Sequence, residues 1–171
     1  GQLDFVNCGH DASLDFGSSL AIDAWFAAVP SVSGAGQTLV SKWGIDSEDQ
    51  SLQLGLTPDG RLTCTVHLDG LPEAQRFLIV TSEADDGTLV DGLPHHVGCA
   101  FSVGSQGEGA AAKTTWKLEL FVPGRPVRNN SGSALASSVP IVTIHTSSTD
   151  LLLGMTQPST DPETPVPIVE Q

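Results

Sequence analysis

The chain has 171 residues, 39% of them hydrophobic, which fills one core and would leave two domains with marginal ones. Its 20 acidic and 7 basic side chains give a formal charge of −13, a field that repels phosphate backbones and anionic head groups, so neither nucleic acid nor a membrane surface is an expected partner. No apolar run approaches the roughly 20 residues that span a bilayer, and no signal peptide is read, which leaves extracellular and cytoplasmic locations both open.

In chain order, Leu3-Asp4-Phe5-Val6 begins a strand, and residues 7–11 make a turn-rich link to Ser13-Leu14-Asp15-Phe16-Gly17. Residues 20–29 place Leu20, Ile22, Ala24, Phe26 and Ala28 on one side, the two-residue period of a half-buried strand, which Pro30 stops. Residues 38–43 form the next strand, and an acidic tip, Asp46-Ser47-Glu48-Asp49, follows Trp43.

Leu52, Leu54 and Leu56, then Leu62, Cys64, Val66 and Leu68, repeat that period on either side of Thr57-Pro58-Asp59-Gly60. Proline presets φ at the second turn position, Asp tolerates the third and Gly takes the left-handed one that follows, so an antiparallel hairpin is predicted. Residues 75–81 are a further β-rich run, and Asp85-Asp86-Gly87 turns the chain into residues 88–90.

His95, Val97, Cys99, Phe101 and Val103 share one phase, so His96 faces away from His95 and the two cannot chelate one metal. A glycine-rich loop at 105–112 precedes a strand at 115–122, which Pro123-Gly124 ends. Residues 125–140 read as a long polar connection carrying the acceptor-type triplet Asn129-Asn130-Ser131, and residues 141–145 and 151–154 close the ordered part. No helical pattern of three turns is present.

These periods predict an all-β protein: a two-sheet antiparallel β-sandwich with Ile22, Phe26, Leu54, Leu56, Leu62, Val66, Val97, Phe101, Leu118 and Leu120 in the core. Three cysteines make no disulfide framework. Cys64 and Cys99 fall on inward phases and are expected to be buried, reduced thiols without metal-ligand spacing. His67 and His145 read as polar strand residues.

Together the pieces resemble the concanavalin A-like lectin and glucanase superfamily, and within it the laminin-G-like domains with a jelly-roll sandwich. Leu3-Asp4-Phe5 with Asp11-Ala12-Ser13-Leu14 resembles that family's opening strand, turn and second strand, and Ala24-Trp25-Phe26 matches the strand after them. Thr38 to Lys42, Leu54-Gly55-Leu56, Asp91-Gly92 with His95-His96-Val97, Leu120-Phe121-Val122-x-Gly124 and Leu152-Leu153-Gly154 follow in the family's order.

The resemblance implies a laminin-G-like domain over residues 1–157, with 158–171 as a Pro-rich tail or linker. Two positions depart from the pattern: Pro94 stands where the family usually has Trp, and Pro123 where it usually has Asp. Family members also finish with a strand that returns beside the first one. Residues 158–171 contain Pro158, Pro162, Pro165 and Pro167, which lack the donor a ladder needs. The first strand is therefore expected to keep an open edge, covered by a further segment of a longer chain or by another copy.

Sugar-cleaving relatives carry two glutamates that flank the glycosidic bond. Glu83-Ala84-Asp85 begins such a pattern, but Gly87 and Thr88 stand where a second glutamate belongs, and no Gly-x-Ser-x-Gly elbow exists, so no catalytic residue is assigned and no enzyme is expected. An aromatic face offers a large apolar platform to a sugar ring. Trp25 and Trp116 lie inside strands and read as packing residues, whereas Trp43 stands beside the acidic tip; Trp43, Asp46, Glu48 and Asp49 are the candidate ligand-binding residues.

The superfamily often holds calcium at the rim of the sandwich, and calcium takes oxygen ligands. Asn7 and Asp11 are the candidate metal ligands on that resemblance, and Asp46, Glu48, Asp49, Asp85 and Asp86 are chemically suitable too. The expected function is a non-catalytic carbohydrate-binding module. The alternative is a protein-interaction or structural domain of a larger chain, with a glycan or a protein as the corresponding ligand.

Overall fold

The computed structural model describes residues 5–31, 34–44, 46–84, 87–109, 112–135 and 141–154. Their strands are β1 (Val6–Asn7), β2 (Ser19–Ala27), β3 (Gln37–Trp43), β4 (Gln50–Leu56), β5 (Leu62–Asp69), β6 (Phe77–Thr81), β7 (Pro94–Gln106), β8 (Lys113–Phe121), β9 (Arg128–Leu135), β10 (Thr143–Ile144) and β11 (Leu152–Leu153). Short 3-10 turns lie at Ala12–Leu14, Ser47–Asp49 and Glu73–Gln75.

The strands form two antiparallel sheets, one of seven strands in the order β1-β11-β3-β4-β5-β10 with β6 also on β5, and one of four in the order β2-β7-β8-β9. Alternation explains how they face each other. Leu54, Leu62, Cys64 and Val66 of the large sheet, and Val97, Cys99, Phe101, Leu118 and Leu120 of the small one, are all at most 3% exposed, while their strand neighbours point outward. Ile22 and Phe26 pack against this core but stay partly exposed, because β2 is an edge strand among the described residues.

The hairpin forms as expected, with Leu56 opposite Leu62. Gly60 closes it at φ 77°, its N–H donating to the Thr57 carbonyl at 2.9 Å. Two other expectations need correction. Residues 13–17 do not form a strand: Asp11 Oδ1 accepts the Ser13 N–H at 2.8 Å and starts the 3-10 turn instead. Within the polar stretch 125–140, Arg128–Leu135 is a full strand, β9. Among the described residues it lies on the edge of the small sheet, and it needs no apolar period, since the ladder to β8 holds it.

Inside the large sheet, Lys42 follows Val40 on the inward phase and has no exposed side-chain surface. Its ammonium pairs with the Asp15 carboxylate and lies 3.4 Å from the Leu14 carbonyl, which fastens the link after β1 to the sandwich. A buried charge of this kind is tolerable only when partnered.

The two sheets meet differently at their two sides. At one side Asn130 Nδ2 of β9 donates to the Ile79 carbonyl of β6 at 3.0 Å and bridges the sheets. At the other, β2 and the β1-β11-β3 end stand apart, leaving an open groove of about 520 Å³ lined by Phe5, Ala24, Phe26, Leu39 and Leu153 among others. Strand β1 pairs with β11 and ends its sheet among the described residues. The tail at 158–171, with its Val166-Pro167-Ile168-Val169 segment, lies outside the described residues.

Candidate functional site

Outside the core, a row of rings runs from Trp43 through Phe77 and His67 to His145. On β6, Leu78 and Val80 face inward, which turns Phe77 and Ile79 outward, 42% and 51% exposed. Phe77 is registered with His67 of β5, and their rings stack at 4.6 Å. A register shift between Lys42 and Trp43 sets Trp43 opposite Gln50, and its half-buried ring lies 5.9 Å from Phe77.

His145, just after β10, closes the row with its ring 4.6 Å from that of His67. Its Nδ1 meets Asp69 Oδ1 at 2.9 Å and its Nε2 meets the Glu48 carbonyl at 3.0 Å. Both partners are acceptors, so both ring nitrogens donate and the imidazolium is favoured. Burial works against that charge, but the Asp69 carboxylate and the Glu48 carbonyl outweigh it and raise the pKa above the usual histidine value.

His67 is the opposite case. It is only 2% exposed, its Nδ1 donates to the Gln50 carbonyl at 3.0 Å, and its Nε2 is buried without a hydrogen-bond partner among the described residues. Burial lowers its pKa against the Gln50 hydrogen bond, and the neighbouring His145 pushes the same way as burial.

The acidic turn folds onto this row. Gly44 N–H donates to the Asp49 carbonyl at 2.7 Å, Asp49 N–H to the Asp46 carbonyl at 2.9 Å, and Ser148 Oγ to Asp49 Oδ1 at 2.9 Å. Trp43, Asp46, Glu48 and Asp49 thus belong to one neighbourhood, with the Asp46 and Glu48 residues exposed. The sequence names these four together and reads His67 and His145 as ordinary strand polars. His67 lies on the outward phase, and what covers it comes from distant parts of the chain.

Asn7 and Asp11 lie elsewhere and are engaged locally. Asn7 Nδ2 donates to Asp150 Oδ2 at 2.8 Å while its Oδ1 accepts the Gly9 N–H at 2.7 Å, and Asp11 caps the 3-10 turn. Among the described residues no three His, Cys, Asp or Glu side chains gather as a set able to hold a metal. Asp85 and Asp86 lie outside the described residues.

Trp116 is a packing residue, 5% exposed, but Trp25 is not: it is 72% exposed on the outer face of the small sheet. Its ring stacks on His96 at 4.8 Å, His96 Nε2 pairs with the Asp23 carboxylate, and Phe121 meets His96 edge-on at 6.3 Å. The signal was available, since Trp25 falls between Ala24 and Phe26 on the phase opposite the core. No protein-family model matches this chain, and no curated protein matches it either.

Proposed function

We propose that this β-sandwich is a non-catalytic carbohydrate-binding module of laminin-G-like, lectin-related type, whose site is the surface around Trp43 and the acidic turn. The observation that carries this reading is the placement of Trp43 against Phe77 with exposed Asp46 and Glu48 on the adjoining turn. Aromatic faces take the apolar side of a sugar ring, and carboxylates accept hydrogen bonds from its hydroxyls. Such a shallow surface supports single-site dissociation constants of about 0.1 to 1 mM. Calcium is tried alongside the sugars, because hard cations take carboxylate and carbonyl oxygens of the kind this turn carries.

The test is calorimetric titration with a panel of oligosaccharides, with calcium and with chelator, on the native chain and on Trp43→Ala, Asp46→Ala and Trp25→Ala. Loss of binding in Trp43→Ala and Asp46→Ala, with Trp25→Ala unchanged, supports the site. Loss only in Trp25→Ala moves the glycan to the small sheet, and no binding across the panel removes the reading.

A second reading, a protein-interaction domain, is favoured by the open groove beside β2. Among the described residues β2 pairs on one side only, and an extended segment adding to it would cover Phe26 and Leu39.

A further inference from the structure

Cys64 and Cys99 are 35 residues apart in sequence and belong to different sheets, β5 and β7, yet their Sγ atoms lie 2.9 Å apart. A disulfide bond is about 2.05 Å long, so bonding would require only a small approach. Each cysteine is held in mid-strand, Cys64 between Leu54 and Val80 and Cys99 between Ile22 and Leu120, so the ladders on both sides fix the two backbones. Both residues are buried, at 0% and 3% exposure, while Cys8 is exposed in the link after β1. The pair is thus separated from the third thiol and facing its own partner across the core.

We propose that Cys64 and Cys99 form an inter-sheet disulfide when the chain folds in the presence of a small-molecule disulfide such as oxidised glutathione. In the first step the thiolate of one cysteine attacks a sulfur of oxidised glutathione, forming a mixed disulfide and releasing one glutathione thiolate. In the second, the thiolate of the other cysteine attacks the protein sulfur of that mixed disulfide. The Cys64–Cys99 bond forms and a second glutathione leaves. Two electrons pass from the cysteines to glutathione, and the two thiol protons leave to solvent or to the released thiolates.

The contact with Cys99 and burial both raise the Cys64 thiol above its usual pKa, which leaves little thiolate in the closed sandwich. Exchange therefore belongs to folding or to transient opening, and the finished bond is shielded from reductant. Once made, it ties the two sheets together and restricts the unfolded chain.

The experiment uses the full chain carrying Cys8→Ser, reduced, unfolded, and refolded in mixed reduced and oxidised glutathione, then alkylated with N-ethylmaleimide in denaturant. The expected product carries no adduct and yields a proteolytic peptide joining Cys64 to Cys99, whereas the dithiothreitol-treated control is alkylated at both. Melting of the bridged form is expected about 5 to 10 °C above the reduced form. The unmodified chain gives the same answer independently, with Cys8 as the alkylated site. Alkylation of both Cys64 and Cys99 in protein that has regained its native circular dichroism overturns the proposal, as does a bridge to Cys8 or a bridged form that melts below the reduced one.

Discussion

The ring of His145 lies 4.6 Å from that of His67, and the two have opposite preferences for a proton. His145 has a raised pKa, so its stabilising contribution is fully present below the unfolded histidine value of about 6.5 and is lost as pH rises through its higher folded value. His67 has a lowered pKa. Its contribution is present above about pH 6.5 and is lost as pH falls through its lower folded value. Stability from the pair is therefore greatest between the two folded values and declines on either side. In urea unfolding between about pH 6 and 8, the gap between the native chain and His145→Gln should narrow as pH rises. A gap that stays constant over that range would mean Asp69 and Glu48 do not hold the charged ring.

Lys42 and Asp15 predict an asymmetry. Lys42 is fully buried and Asp15 retains 24% of its side-chain exposure, so removing the carboxylate strands a charge whose other partner among the described residues is the Leu14 carbonyl. Asp15→Ala is expected to cost about 3 kcal/mol. Lys42→Met leaves a carboxylate that water can reach and should cost about 1 kcal/mol or less. The double variant should recover most of what Asp15→Ala loses. Equal losses in both single variants would show that packing of the lysine stem, and not its charge, governs this position.

Trp116 and Gly132 face each other across β8 and β9, and a Cβ on Gly132 would come within 2.6 Å of the indole ring. The ring is 5% exposed and packed into the core, so it has little room to yield. Gly132→Ala is expected to destabilise by about 1 to 3 kcal/mol through overpacking. Combining it with Trp116→Phe, a smaller ring, should cost less than the sum of the two changes. Strict additivity in equilibrium unfolding would place the indole away from that glycine.

The two-sheet fold was legible in the sequence because one buried face imposes a period of two, and the runs at 20–28, 52–56, 62–68 and 97–103 all carry it. The Pro58-Asp59-Gly60 turn was legible for a local reason as well: its residues satisfy the backbone geometry without help from elsewhere. Trp43 and the acidic turn were neighbours in sequence and remained neighbours in space. Other features depended on what came to lie opposite. Strand β9 has little apolar signal because the ladder to β8 supplies its order. Lys42 is buried because Asp15 arrives beside it, His67 because Phe77 and His145 cover it, and Cys64 meets Cys99 because two different sheets close face to face. Local periodicity determines which side of a strand is apolar; only tertiary packing decides which partner meets each side chain, because those partners come from other strands and links of the chain.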